Sequence, residues 1–316
     1  MAYSNSNGVA NTLAEVSATL TSILDETFQQ ASKTTMWSAN PALVQGFQNA
    51  KTGRIATVAV SGLGNYDQAK GFPEGLASMT LEDYTLRYDR GVSYLLDQVD
   101  VMQSAGIPTA SAVLSEFSRA QLVPEVDAVR ISTVATKAIE GSMSKDYTPA
   151  KATIMTEFMN ALSEIENNSG IDSGIQILVN QKYGGILMTS TEVTRTKDVE
   201  SGAATLNNRV RSINDNPVTY VPSSRMYSAF DLKPGTAGTM DGAGFAPNAS
   251  AQEIVAIFTA PNCAHGVVAH NIQKIIPPEL NQTADGTKLA FRVYHDCIVP
   301  KNKVPGIYAL TVPKSG

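Results

Sequence analysis

The sequence has little charge and no long apolar run. Only 17% of its 316 residues are charged, and the formal net charge is −5. This acidic balance gives no electrostatic basis for wrapping nucleic acid. No segment approaches the roughly 18 consecutive apolar residues of a membrane span, so we expect no membrane partner.

Cysteine and N-terminal basic residues are scarce as well. Cys263 and Cys297 are too few for a disulfide framework and suit a reducing compartment. No basic residue precedes Lys33, whereas a secretory signal begins with basic residues and a transit peptide contains arginines. These absences predict a soluble protein made in the cytoplasm.

Apolar residues are plentiful by contrast. They make up 43% of the chain, which is enough to form a core and excludes wholesale disorder. At roughly 150 residues per domain, the length suits two domains or one large elaborated domain. Because little charge is left to cover a solvated surface, the composition also hints at extensive burial between protein molecules.

An apolar stripe runs along the first thirty residues. Its members recur at alternating steps of three and four, namely Leu13, Val16, Leu20, Ile23 and Thr27. That spacing predicts an amphipathic helix, which needs a surface to lie on. The sequence leaves open whether this surface belongs to the same domain or to a neighbouring subunit.

Residues 52–96 are predicted to form two strands around a long Gly-rich loop. The second strand begins near residue 84 and continues to 96, with an irregularity at Gly91. One of its faces carries Tyr84, Leu86 and Tyr88. An isolated two-stranded ribbon is marginally stable in water. We therefore predict that this face lies on an adjacent subunit, while the polar tip at 61–79 stays free.

A long helical stretch follows at 108–139. Proline at a first helical position with acids directly after it is typical of a helix start, because that end carries partial positive charge. Pro124, followed by Glu125 and Asp127, has this pattern. The sequence therefore predicts a kink or a new helix at Pro124.

The second half of the chain predicts mixed structure. A helix opens at Thr148 and Pro149 and closes at Gly170. Strand-like segments lie at 175–179, 218–221, 254–258 and 289–299, and a Gly-rich loop lies at 234–247. The predicted fold class is α+β.

No motif of enzyme chemistry is present. The dinucleotide fingerprint, the P-loop, the nucleophile elbow and the zinc-protease motif are all missing. Asp97 with Asp100, or Glu125 with Asp127, could serve as acid–base pairs. Strand-end and helix-start positions explain these acids more simply.

All cysteines and histidines fall late in the chain, at Cys263, His265, His270, His295 and Cys297. Two ligands on each of two strands could hold zinc, but C-x-H paired with H-x-C is not an established ligand spacing. Free cysteine is also commonly buried as a small hydrophobic residue. We therefore predict no catalytic residue, no metal site and no cofactor. A metal-dependent enzyme built on these residues is the alternative from a different class.

Three segments in fixed order carry a resemblance to a known family. They are GLASMTLEDYTLRYDRGVSYLLDQVD at 75–100, VLSEFSRAQLVPEVDAVRIS at 113–132 and FRVYHDCIVPKNKVPGIYAL at 291–310. Together they resemble the major capsid proteins of tailed bacteriophages, which have the Hong Kong 97 fold. The resemblance covers most of the chain, from about residue 50 to the end.

The resemblance implies a division of the chain into parts. These are an N-terminal arm at 1–50, an extended β-hairpin loop at 51–96, a peripheral domain from 97–147 and 276–316 with its spine helix at 108–139, and an axial domain at 148–275. The matched region begins too early to leave room for a cleaved scaffolding segment. A separate scaffolding protein is implied if one is used.

The resemblance also implies a function that is structural and not enzymatic. Copies of the chain would form the hexamers and pentamers of an icosahedral head, in the virion, after synthesis in the host cytoplasm. The head would enclose double-stranded DNA without sequence-specific binding, and a portal would be a further partner. Within the same fold, an encapsulin-like nanocompartment shell is the alternative.

Overall fold

The computed structural model describes residues 31–38, 52–66, 68, 74–97, 110–190, 210–236, 242–282 and 284–313. The predicted helix at 13–27 lies outside these residues, and so does Asp100. Nothing in the structure therefore bears on the N-terminal stripe.

The described chain has the predicted α+β composition. Its α-helices are α1 (Ala110–Phe117), α2 (Val123–Glu140), α3 (Ile154–Ser169) and α4 (Gln181–Met188). Its strands are β1 (Thr52–Val60), β2 (Ala77–Thr85), β3 (Tyr88–Asp97), β4 (Ser144–Asp146), β5 (Gln176–Asn180), β6 (Ser212–Ile213), β7 (Asn216–Val221), β8 (Phe230–Lys233), β9 (Gly244–Pro247), β10 (Ile254–Thr259), β11 (His265–Ile276), β12 (Gly286–Ile298) and β13 (Ile307–Thr311). None of the described helices is long and apolar enough to cross a membrane.

The long predicted helix consists of α1 and α2 joined by a π-helical turn, Ser118–Leu122. Pro124 lies in the first turn of α2, directly after the π turn, and has no N–H to donate to a preceding carbonyl of the helix. No new helix starts at this proline, because Leu122 and Val123 are already helical; the predicted interruption takes the form of the π turn directly before it. The π turn inserts an extra residue into the helical repeat, which accounts for the change of apolar face between the two halves.

The main core lies around a six-stranded sheet with the order β4-β13-β10-β5-β7-β6. Every residue of β10 is buried, in keeping with its unbroken apolar sequence. Phe158 of α3 meets Phe258 of β10 edge to face, with ring centroids 5.2 Å apart. The predicted end of α3 is confirmed, because Gly170 caps it in the left-handed conformation that glycine adopts without strain.

A second sheet is antiparallel, with the order β11-β12-β3. Together with α1, the π turn and the start of α2 it encloses a smaller core, formed by Leu114, Leu122, Val126, Leu289, Phe291 and Val293. The long α1–α2 stretch thus spans both cores, since its later residues Ile131, Val134 and Ala135 belong to the main core.

Residues 276–316, assigned above to the peripheral domain, divide between the two sheets. β12 lies in the three-stranded sheet, whereas β13 pairs with β10 and β4 in the six-stranded sheet. β13 is almost entirely apolar, and burial on both faces suits a central strand. β12 and β13 thus lie in different sheets, and the division of the chain into domains stays a prediction.

The hairpin of β1 and β2 forms a separate two-stranded sheet. The strand predicted from residue 84 to 96 is interrupted, because β2 ends at Thr85 and β3 begins at Tyr88. β2 pairs with β1 and β3 pairs with β12, so the chain changes sheets at Leu86 and Arg87. Gly91, the predicted irregularity, lies within the regular β3–β12 ladder instead.

Candidate interaction surface

One face of the β1–β2 hairpin is apolar and open to solvent. Val58 lies opposite Met79 in the antiparallel register, and residues of the same parity share a face. We call Val58, Val60, Met79 and Leu81 the apolar hairpin face; their exposed fractions are 65%, 74%, 65% and 56%. The opposite face of β2 carries Ser78, Thr80 and Glu82. Large apolar side chains left together in water mark an interaction surface.

The tip of the hairpin continues this apolar character. Leu63 is fully exposed, and Leu76 is 76% exposed. Two hydrogen bonds of 2.9 Å close the tip: Ser61 N–H donates to the Leu76 carbonyl, and Leu76 N–H donates to Ser61 Oγ. Within the described part of the tip, Leu63 and Leu76 are thus apolar side chains that the chain does not bury.

The face of Tyr84, Leu86 and Tyr88, predicted to contact an adjacent subunit, packs largely within the same chain. Leu86 is only 4% exposed, because it packs against Val267 and Ile298 of the same chain. Tyr84 packs against this cluster too, and Tyr88 stacks on the His295 ring with centroids 5.7 Å apart. The prediction that this face lies on an adjacent subunit is wrong for Leu86, and for the half-buried Tyr84 and Tyr88 it stays a prediction. Among the described residues, the apolar hairpin face remains open to a partner.

The base of the hairpin is fixed to the second sheet by Arg87 and Asp296. Arg87 donates from Nε to Asp296 Oδ2 at 2.9 Å, from Nη2 to Oδ1 at 3.0 Å, and from its backbone N–H to Oδ2 at 3.1 Å. The carboxylate is 4% exposed, and its hydrogen bonds raise the pKa of the Arg87 guanidinium. These bonds limit how the hairpin can pivot at its base.

Arg90 of β3 forms hydrogen bonds to α2, β8 and β9. It donates from Nε and Nη2 to the Glu125 carboxylate of α2 at 2.7 and 3.2 Å, and to the carbonyls of Lys233 and Gly244 at 3.1 and 3.3 Å. Burial acts to raise the pKa of Glu125, but His295 Nε2, 3.9 Å away, and the Arg90 guanidinium together lower it. Glu125 is thus an ionised structural partner.

Glu125 and Asp127, weighed above as an acid–base pair, have separate partners. Glu125 faces Arg90, whereas Asp127 is fully buried against residues of the N-terminal segment and Arg225. The two carboxylates therefore do not share a reaction site. Neither role was visible in the sequence, because the partners of Asp127 are more than 90 positions away along the chain.

The cysteines and histidines weighed above as zinc ligands do not form a metal-binding cluster in the described part of the chain. Burial raises the pKa of the Cys297 thiol to about 12, and it also raises that of Cys263. Burial lowers the pKa of His265. Within the part of the chain that the structure describes, no three His, Cys, Asp or Glu side chains lie together as they would around a metal ion. The side chain of His270 is outside that part.

No protein-family model matches the chain, and no curated protein does. Solved structures do match, and they give the class of fold. It is the α+β Hong Kong 97-type fold of capsids and virus-like particles, as the resemblance implies.

Three of these structures illustrate the likeness. The mature capsid of bacteriophage PhiM1 has 12% identity and a TM-score of 0.58, over 85% of each chain. The capsid of cyanophage P-SCSP1u has 10% identity and a TM-score of 0.55, also over 85% of each chain. The virus-like particle from Pyrococcus furiosus has 11% identity and a TM-score of 0.54, over 92% of this chain and 97% of that one.

Proposed function

We propose that this chain is a major capsid protein of a tailed bacteriophage. Copies of it assemble into a closed shell that encloses the genome. The observation that carries the proposal is a fold shared with two phage capsids over 85% of the chain. The exposed apolar hairpin face supports it independently, because a subunit of a shell needs a surface that is left uncovered in the single chain.

The hairpin is suited to reach a neighbour. Nine residues in each strand extend over roughly 30 Å at about 3.3 Å per residue. A contact of this kind is heterologous, since the hairpin of one copy meets a different surface of the next. Such contacts form rings when the rotation closes, and hexamers and pentamers are the rings that a closed icosahedral shell requires.

The parts of the subunit follow the assignments made from the sequence, except that β13 is grouped with the strands it pairs with in the six-stranded sheet. We assign residues 1–50 to an arm, 51–96 to the extended loop, 97–147 with most of 276–316 to a peripheral domain, and 148–275 with β13 to an axial domain. The N-terminal stripe at 13–27 is proposed to lie on neighbouring subunits. Loss of residues 1–30 should then weaken assembly more than it weakens the fold.

The net charge of the chain and its resemblance to capsid proteins suggest further partners. With a net charge of −5, the chain is suited to enclosing DNA rather than gripping it. A separate scaffolding protein and a portal complete the proposed set of partners. Synthesis takes place in the bacterial cytoplasm, and the protein ends in the virion.

Assembly is tested with a matched pair of variants in β2. Met79→Asp with Leu81→Asp places two charges on the apolar hairpin face, whereas Ser78→Asp with Thr80→Asp places the same charges on the polar face of the same strand. Negative-stain microscopy and sedimentation should show shells or capsomers for the wild type and the polar-face variant. The apolar-face variant should remain a folded small species. A wild-type chain that stays monomeric across concentrations overturns the proposal.

The contents of the shell distinguish the phage capsid from a nanocompartment. Particles purified from the phage-producing host should contain double-stranded DNA that resists nuclease until the shell is opened. Particles that enclose a protein cargo and no nucleic acid would favour the nanocompartment.

A further inference from the structure

Residues 32–38 cross α2 and the start of β11, and we call them the strap. Two residues of α2, Asp127 and Arg130, hold the strap, and the Asp127 carboxylate has no exposed surface. It accepts hydrogen bonds from Ser32 Oγ and Thr34 Oγ1 at 2.7 Å, Lys33 N–H at 2.9 Å and Arg225 Nη1 at 2.8 Å. Three of these four bonds come from the strap. Hydrogen bonds to a charged group are the strong ones.

The next turn of α2 supports the same segment. Arg130 is 2% exposed and donates from Nη1 to the Thr34 carbonyl at 3.2 Å. Further along, Trp37 is 3% exposed and belongs to the main core, and Ser38 forms a bridge to Gly266 at the start of β11. The strap thus closes over one side of the main core.

The end of the strap at residues 36–38 is less closely packed than the end at Asp127, and it leaves polar atoms without hydrogen bonds. A cavity of about 360 Å³ lies beside residues 36–38 and the turn at 260–264. Two polar atoms of residues lining it, Trp37 Nε1 and Thr259 Oγ1, are buried without a hydrogen-bond partner among the described residues. A buried polar group without a partner destabilises the state that buries it. Release of the strap would expose Trp37 Nε1 to water.

From this contrast we infer that the strap is a detachable element and that Asp127 is its latch. The chain has a closed state, with the strap seated, and an open state, in which 32–38 leaves α2 while both sheets remain folded. Opening of this kind must break the hydrogen bonds to Asp127 and Arg130 and expose the Trp37 side chain, and it leaves the strands and helices in place. The inference is independent of the proposed function.

The chain carries its own reporters for this opening. Trp37 is its single tryptophan, so fluorescence reports the strap alone. Lys33 is its first basic residue, so tryptic cleavage there releases an identifiable peptide of residues 1–33. The test variant is Asp127→Asn, which keeps the shape but turns one acceptor oxygen into a donor. The matched control is Glu125→Gln on the same helix, which removes the acid that binds Arg90.

In Asp127→Asn we expect a red-shifted Trp37 emission, stronger acrylamide quenching and cleavage at Lys33 faster by roughly 10- to 100-fold, as loss of charged hydrogen bonds predicts. Far-UV circular dichroism should remain that of the wild type. Glu125→Gln should leave fluorescence and cleavage at Lys33 within about twofold of the wild type.

A second variant changes the strap residues that bind Asp127 and leaves the sequence of α2 unchanged. Ser32→Ala with Thr34→Val removes two donors to Asp127 and should give the same changes, at least tenfold in cleavage. The inference is overturned if both variants leave Trp37 emission and Lys33 cleavage unchanged. It is equally overturned if tryptophan emission and circular dichroism change together in every variant, because the strap then opens only when the whole chain unfolds.

Discussion

Arg87 and Asp296 lie 209 positions apart in the sequence and meet through three hydrogen bonds at the point where the chain leaves the hairpin for the second sheet. Asp296 is buried, whereas Arg87 is half-exposed. The pair decides the direction of the hairpin because the two residues after β2 have no strand partner of their own. The hairpin's role therefore depends on a contact at its base as well as on its exposed face.

Loss of Arg87 is predicted to destabilise the fold. Arg87→Ala removes the guanidinium and leaves the buried carboxylate with the backbone N–H groups of residue 87 and Cys297 as donors, which we expect to cost about 2 kcal/mol in the free energy of unfolding. The matched control is Arg54→Ala, because Arg54 pairs with Asp83 where both side chains are well exposed. That change should cost about 0.5 kcal/mol or less. Urea unfolding of the three proteins measures the difference, and equal costs would contradict the assignment of Arg87.

The stability of the protein should depend on pH through His265. Burial lowers the pKa of its imidazole below the ordinary 6.5. As the pH falls through about 6.5, the unfolded chain therefore takes up a proton that the folded chain does not yet bind. The free energy of unfolding must then decrease with falling pH, until the lower pKa of the folded state is passed.

The measurement compares the wild type with His265→Gln by urea unfolding at pH 7.5, 6.5 and 5.5. The wild type should lose stability relative to the variant as the pH decreases. The difference between the two proteins cancels the contribution of the other histidines. Parallel curves would show that His265 has the same proton affinity in both states.

Both cysteines are predicted to be unreactive in the folded protein. Burial raises the pKa of the Cys297 thiol to about 12 and also raises that of Cys263, so little thiolate forms at neutral pH. Alkylation by iodoacetamide at pH 8 should require unfolding in urea. Zinc measured on the same preparation should be well below one equivalent, and a stoichiometric content would instead support the metal-dependent alternative.

The sequence predicts elements where local chemistry decides the structure. Pro124 follows the π turn because it has no N–H for regular α-helical bonding, and Gly170 ends α3 because it adopts a left-handed conformation. β10 was predicted because its apolar run is short, β-rich and bounded by turns. These signals lie within a few residues of the feature that they determine.

Features that depend on distant partners could not be predicted in the same way. The alternation at residues 84–88 indicates a buried face, but only the pairing of β3 with β12 decides that the same chain buries it. Asp127 looks like a helix-start acid in the sequence. Its burial against Ser32 and Thr34 depends on the tertiary path of the N-terminal segment.

The last prediction is that shortening the hairpin impairs assembly but does not destabilise the subunit. Val60 and Ala77 lie directly opposite each other at the end of the β1–β2 ladder. Replacing 61–76 by Asn-Gly would therefore join two paired residues through a two-residue turn, which suits the twist of a hairpin. The shortened subunit should keep the thermal unfolding midpoint of the wild type within about 3 °C, since a change of this size corresponds to roughly 1 kcal/mol or less.

Assembly should nevertheless be impaired, because Leu63 and Leu76 are removed from the tip and the hairpin loses its end. Particle counts by negative-stain microscopy, taken beside the unfolding midpoint, measure the two properties on one preparation.

A second variant, Leu63→Ser with Leu76→Ser, keeps the length and removes only the apolar groups at the tip. If it assembles normally while the shortened hairpin does not, the length of the tip matters and its apolar side chains do not. Normal shells from both variants would restrict the contact to the apolar hairpin face of Val58, Val60, Met79 and Leu81, where the paired charge substitutions in β2 test it separately.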